Sequence, residues 1–311
     1  MSKSLTLHLG VLVALLIAGF ILPAYHHGNM ARIMVLAVYA MGFNILFGYT
    51  GLLSLGHALF FAAGLYGMGL SVQHLAIPAF PAFLIGIAAA CALAAIVGYL
   101  ALRTIGVAFM IVTLMFAQAG YLTILYFGTW TRGDEGFVIQ QVSRNVAGFD
   151  LSDPDIRYMT ALALISVATL LKLALVRAPF GKVLVAIREN EERATMLGYD
   201  THKHKWIAVI VSAGFSGAAG AAYGLLFGYV GASFAAVPYS ILPLLWVLVG
   251  GAGTVLGPLV GTIAMFYLVD FASGITDAYM LLVGIALVGL ILFARAGILG
   301  FIRDRYVRWL P

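Results

Sequence analysis

RAPFGKVLVAIRENEERATMLGYDTHKHK, residues 177–205, carries six basic side chains (Arg177, Lys182, Arg188, Arg193, Lys203, Lys205) and four acidic ones (Glu189, Glu191, Glu192, Asp200). That is 10 of the chain's 29 charges in 29 of its 311 residues. On either side the chain is almost uncharged: 63% of its residues are apolar, 9% are charged and the mean hydropathy is +1.06. No soluble domain of this length needs so much hydrocarbon, so the composition defines an all-α polytopic integral membrane protein. A charged segment in the middle of such a chain is a contact surface in water between two membrane-embedded halves. A soluble partner pushing there would move the membrane part.

Working outward, a span needs about 20 mostly apolar residues. On that ruler ten segments stand out: 5–23, 30–47, 57–75, 79–102, 104–128, 158–176, 206–231, 238–250, 257–272 and 278–294. Several are short or glycine-rich, so the expectation is about 8–10 membrane helices with some broken or re-entrant, in one transmembrane domain over 1–311. The apolar run Leu5–Leu22 is longer than a signal-peptide core, and Pro-Ala-Tyr-His-His after it has no small-x-small cleavage site, so it is expected as a retained first span. With the N-terminus inside and all ten segments crossing, 13 of the 17 Lys and Arg fall on the cytoplasmic side, leaving Arg32, Arg132, Arg144 and Arg157 outside. Both termini and the 177–205 loop are then cytoplasmic. The 129–157 stretch is external, either a lip or short interfacial helix for a delivery protein or a solvated connector. The net charge of +5 is a topology signal on this reading, and no nucleic-acid partner is implied. Cys91 stands alone in an apolar run, which excludes an intrachain disulfide and a cysteine metal site and leaves a packing role.

Two glycine-rich interruptions occupy opposite halves: Asn44–His57 (NILFGYTGLLSLGH) and Gly250–Gly261 (GGAGTVLGPLVG). Non-helical backbone at membrane depth is tolerated only where protein or a water-filled cavity covers it, and paired interruptions point to a translocation path. Any single glycine also reads as a close-packing residue. No P-loop is present, since the Gly181-Lys182 pair is followed by valine, and neither H-E-x-x-H nor G-x-S-x-G occurs. Catalysis and metal binding by this chain are not expected. No expected span carries Asp or Glu at its centre, and Asp270 and Asp277 flank an external turn, so an ion-coupled carrier lacks its usual carboxylate. The energy source is then a partner acting on the cytoplasmic loop.

Within that loop Arg188–Leu197 reads as a short amphipathic helix. Val183, Ile187, Ala194 and Leu197 recur on one side, Glu189 and Arg193 form an acid-first i, i+4 pair, and Gly198 is a C-terminal stop. Such a helix docks in a partner's groove or lies on lipid headgroups; its nearly balanced charge favours docking.

The run Glu192–Gly198 (ERATMLG) resembles the E-A-A-x-x-x-G coupling loop of bacterial ABC importer permeases, with Arg193 in place of the first alanine. GYTGLLSLGHALFFAAGLY (48–66), TLMFAQ (113–118), RGDEGF (132–137), FGKVLVAIRENEERATMLGYD (180–200) and VGGAGTVLGPLVG (249–261) are similar to branched-chain amino acid permeases, over nearly the whole chain and in the same order. The resemblance implies a bacterial inner-membrane complex of two related permease subunits, two cytoplasmic ATPases that hold ATP and Mg, and a periplasmic substrate-binding protein. It implies that Ile187, Arg188, Glu189, Glu191, Glu192, Arg193, Ala194, Leu197 and Gly198 form the ATPase-coupling element and move as one rigid lever. Relatives of this kind carry branched-chain amino acids, urea, short amides or aromatic acids.

For the path, the polar side chains Asn44, Ser54, His57, Thr113 and Gln118 must find partners within apolar runs, beside Gly48, Gly51, Gly56, Gly250, Gly251 and Gly253 of the two interruptions. His57 and Gln118 also read as ties between neighbouring helices, and Ser54 and Thr113 as bonded to their own backbone. Trp206 and Trp246 read as packing aromatics. The rival functions are an ion-coupled carrier working alone and a non-transporting membrane subunit.

Overall fold

A computed structural model describes residues 3–146, 148–276, 278, 281, 284–285, 288–289 and 297–305. Along the chain the helices are α1 (Lys3–Ile21), α2 (Ala24–Asn44), α3 (His57–Leu75), α4 (Ala79–Ala101), α5 (Val107–Tyr126), α6 (Gly128–Thr131), α7 (Pro154–Arg177), α8 (Pro179–Glu189), α9 (Glu191–Met196), α10 (Thr201–Phe227), α11 (Val237–Gly250) and α12 (Gly257–Ser273), with a further helix at Gly297–Arg305. Seven of the described helices, α1–α5, α7 and α10, are long and apolar enough to cross a membrane, and α11 and α12 are shorter apolar helices. The first nine expected segments each fall on one of these. The tenth, 278–294, with Asp277 beside it, lies for the most part outside the described residues.

The bundle centres on α2, α3 and α10, held together by small residues. Gly64 and Gly217 face one another, Gly220 lies on the Phe61 carbonyl, and a methyl group on Gly86 would meet the Gly64 carbonyl. Without a hydrophobic force between helices in lipid, this backbone-on-backbone approach is how dispersion and weak polar contacts accumulate. Helix starts obey local rules. Asp153 caps α7 by accepting from the Asp155 and Ile156 amides at 2.9 and 3.3 Å, with Pro154 in the first turn, and Asp200 caps α10 by accepting from the Lys203 amide at 3.0 Å.

The two ends of the bundle differ. At one end lie the 177–205 segment, the turn after α2, the turn between α11 and α12, and the Gly297–Arg305 helix, whose Gly297 abuts Gly251 and Leu248. At the other, Tyr25 donates to Asp270, His27 faces Asp155, and His74 meets the Trp130 carbonyl. The 129–157 stretch, expected as a lip, short interfacial helix or connector, is built instead as a cap with strand pairing. After the one-turn α6, β1 (Phe137–Val138) pairs antiparallel with β4 (Tyr229–Val230), while β2 (Asn145–Val146) and β3 (Phe149–Asp150) form a tight hairpin. Gly136 is held so closely on Val230 and Gly231 that a side chain would not fit.

Candidate functional site

The two glycine-rich interruptions lie against one another. α2 widens into a π-helix over Ile45–Thr50 and stops at Gly51, and 251–256 is the turn of the antiparallel α11–α12 hairpin, in which Trp246 meets Gly261 and Gly250 meets Gly257. π-turns are uncommon and gather at functional sites. Here the π-turn brings the first break against the second.

Asn44 makes the join. Its side-chain amide donates to the Thr254 carbonyl at 2.7 Å, and its oxygen accepts from the Gly253 amide at 3.0 Å. Asn44 is fully buried, so both halves of its amide are satisfied by one turn, as a buried carboxamide requires. Gly48 sits where a Cβ would overlap both Asn44 Oδ1 and the Gly253 nitrogen. Its carbonyl accepts from Arg188 Nη1, which also lies against Gly253, while the Cγ of the same side chain lies against Gly51. The loop arginine therefore reaches the place where the two breaks touch. Nη2 of Arg188 meanwhile pairs with Glu189 at 2.7 Å, toward solvent.

Lys172, counted from the sequence only as a cytoplasmic charge, is a component of the same junction. It lies on α7, is fully buried, and its Nζ is 3.3 Å from the carbonyls of both Thr254 and Val255 and 5.7 Å from the centre of the Tyr49 ring. Among the described residues it has no carboxylate partner. Thr254 and Val255 lie in the turn that precedes α12, and the lysine donates to the carbonyls of that turn. The signal was its position in VATLLKLALVR, where a charge interrupts an apolar run before the helix ends.

Ser54, Gly56, His57 and Thr113 form a second layer. The Leu55 amide donates to the Thr113 hydroxyl at 3.2 Å, the Thr113 hydroxyl donates to the Met110 carbonyl of its own helix at 2.9 Å, and Gly56 abuts the Thr113 carbonyl. The Gly56 amide donates to Ser54 at 3.3 Å. His57, fully buried among Tyr39, Phe43 and Phe60, lies 2.9 Å from the Ser212 hydroxyl, which gives its proton to the Gly42 carbonyl. That hydroxyl accepts, which places the imidazole proton on Nε2. His57 thus ties α3 to α10 and α2 within the bundle. Gln118 does not join this group: it lies on the exposed face of α5, between Met115 and Leu122.

The loop itself departs from a single amphipathic helix. α8 ends at Glu189, Asn190 is extended (φ −161°), and α9 starts afresh with the Asn190 side chain accepting from the Arg193 amide at 2.9 Å. Asn and Asp compete with a running helix for nearby amides and favour caps. The expected Glu189–Arg193 pairing needs a continuous helix; instead Glu189 pairs with Arg188, and Glu191 with Lys205 at 2.5 Å. Val183, Ile187 and Ala194 are buried together, but Leu197 is 75% exposed and does not share their face. Gly198 ends α9 as expected, with φ +89°: its amide donates to Thr195 and that of Tyr199 to Ala194, the double bond of a left-handed helix stop. Met196 and Leu197 stand out beside it, 84% and 75% exposed, while Glu192 and Arg193 are also exposed.

Comparison with known proteins places this geometry. The family model described as "Branched-chain amino acid transport system / permease component" matches residues 28–294, a range that takes in the junction and the charged loop. The chain is 26% identical over 296 residues to the "High-affinity branched-chain amino acid transport system permease protein LivM" of Escherichia coli (strain K12), covering 88% of this chain and 69% of that protein. It is 24% identical to the protein of the same name from Salmonella typhimurium, with the same coverage. No solved structure matches the chain. A bundle of apolar helices carrying one charged loop, matched by the family model over most of its length, makes this chain a member of the branched-chain amino acid transport system permease component family.

Proposed function

We propose that this chain is the inner-membrane subunit through which an ATP-driven importer passes branched-chain or other hydrophobic amino acids, working beside a second related permease. ATP and Mg are held by two cytoplasmic ATPases that engage α8 and α9, and a periplasmic binding protein delivers substrate to the 129–157 end. The observation that carries this reading is the line of contacts from Arg188 on the loop, hydrogen-bonded to Gly48, whose backbone packs on Asn44, which is hydrogen-bonded in turn to Gly253 and Thr254. A partner that displaces α8 pulls directly on the contact between the two breaks. The exposed Met196–Leu197 knob, with Glu192 and Arg193 around it, presents the apolar and charged groups such a partner would grip. Selectivity rests with the binding protein.

The test is reconstitution with the ATPases, partner permease and binding protein. ATP-dependent uptake of leucine, isoleucine or valine is expected, and uptake without ATP in the presence of a sodium or proton gradient would overturn the reading. Exchange of leucine for urea, short amides or aromatic acids in the same assay decides the substrate class. Glu192→Arg with Gly198→Leu is expected to abolish co-purification with the ATPases while membrane insertion is kept; undiminished co-purification would remove the docking surface.

A further inference from the structure

The opposite end of the bundle holds a feature with no part in the coupling described above. α4 and α7 stand apart, α4 packed on α10 and α7 on α2, and the space between them is an apolar cleft of about 720 Å³. Phe80 and Phe83 form one wall, α7 from Asp155 to Val167 forms the other, and Leu225 and Leu226 of α10 lie at its base. Val146 and Phe149 of the β2–β3 hairpin close it at the 129–157 end. The α7 wall runs over thirteen residues, about 18 Å at the helical rise. That is close to the depth of one hydrocarbon leaflet, about 15 Å.

Charge is placed at one end of the cleft only. Arg157 follows the lining residue Ile156, Arg144 precedes the lining residue Val146 by two, and both meet at Phe227–Gly228, directly after Leu226. Arg157 lies over the Phe227 ring at 5.7 Å and donates to the Ser152 carbonyl at 2.6 Å; Arg144 lies against Gly228. The Nε atoms of both are buried without a hydrogen-bond partner, and neither arginine forms an ion pair among the described residues. Asp150, the nearby carboxylate, is taken up by Gln141 at 2.7 Å and the Ser152 amide at 2.8 Å. Burial, and then the neighbouring Arg157, hold the Arg144 guanidinium below its usual range, with the Asp150 carboxylate acting in the opposite direction. Asp155, on the rim, has a side chain 91% exposed and faces His27 at 3.7 Å.

An apolar slot one leaflet deep, with the exposed Asp155 carboxylate on its rim and Arg144 and Arg157 beside its lining residues, matches a molecule with a long hydrocarbon chain, a phosphate and an ammonium. We propose that the cleft holds an acyl chain of a zwitterionic phospholipid with a primary ammonium headgroup, its phosphate on Arg144 and Arg157 and its ammonium on Asp155. The planar guanidinium suits phosphate, and a carboxylate accepts from a primary ammonium in a way that a quaternary one, lacking N–H, does not allow.

The full chain, purified in mild detergent, is mixed separately with phosphatidylethanolamine, phosphatidylcholine and phosphatidylglycerol, and retained lipid is read by native mass spectrometry. Phosphatidylethanolamine is expected to be retained about tenfold more than either of the others. Arg144→Gln with Arg157→Gln, and separately Ala163→Trp, which fills the slot without touching the charges, are each expected to lower that retention about tenfold. Asp155→Asn, a change at an exposed side chain, is expected to erase the preference over phosphatidylcholine even if the slot variant fails to fold. Equal retention of the three lipids, preference for phosphatidylglycerol, undiminished retention in folded Ala163→Trp, or unchanged preference in Asp155→Asn would each overturn the proposal.

Discussion

Gly48 has no room for a methyl group. Its missing side chain is occupied by the Asn44 oxygen and the Gly253 nitrogen, so Gly48→Ala must push the two breaks apart, at a cost of about 1–3 kcal/mol from overpacking. Gly214, on α10, is a fair comparison, since a Cβ there meets only Cys91 Sγ at 3.4 Å and alanine favours the helix. Thermal unfolding in detergent should show Gly48→Ala destabilised and Gly214→Ala unchanged or stabilised; equal effects would mean the close approach is not present. Lys172 poses the opposite case. Burying an ammonium without a carboxylate costs several kcal/mol, whereas a carbonyl stripped of its donor costs about 1–3. The ion term is the larger, so Lys172→Met should unfold at the same or a higher temperature while uptake falls. A midpoint that drops with uptake intact would show that the lysine is only a brace. Both residues could be pointed to in the sequence, one as a glycine in a break and the other as a charge in a span. Their shared neighbours could not, because Lys172 and Thr254 are 82 positions apart.

At the scale of the element, the 177–205 segment holds two helices with a joint at Asn190 rather than one continuous helix. α8 is fastened to the bundle through Leu184, and its Val183 and Ile187 meet Ala194 of α9, leaving Met196 and Leu197 exposed. On the proposed coupling, a push on α9 would reach the bundle only after the joint takes up its slack, and the Asn190 side chain, which caps α9, would limit that slack. Removing a cap costs about 1 kcal/mol. Asn190→Ala is therefore expected to leave co-purification with the ATPases intact and to lower the uptake per ATP hydrolysed; an unaltered ratio would mean that the joint transmits nothing. The break was legible in principle, since asparagine followed three residues later by an amide to cap is a helix-start pattern, but the spacing of Val183, Ile187 and Ala194 suggested a continuous face. That spacing survives the joint because Ala194 folds back onto the same cluster, whereas Leu197 does not.

For the whole molecule, the two ends are chemically unlike, and their assignment to the two sides of the membrane is testable with one reagent. Cys91 is the chain's one cysteine, so in a Cys91→Ala background Leu197→Cys and Val142→Cys, both at exposed positions, report the 177–205 and 129–157 ends. A membrane-impermeant maleimide added to intact spheroplasts should label Val142→Cys and spare Leu197→Cys. The reverse pattern would invert the topology and end the proposed coupling. Hydropathy, the spread of Lys and Arg, and the glycine-rich runs were enough by themselves to establish a membrane bundle, nine of its apolar helices and the family resemblance, because burial in lipid imposes length and composition on each segment separately. Only the tertiary structure decided that the two breaks touch, that Asn44, Lys172 and Arg188 converge on them, and that Gln118 faces away. Those contacts join residues up to 210 positions apart through single hydrogen bonds, and no local pattern in a chain records which distant carbonyl its donor will meet.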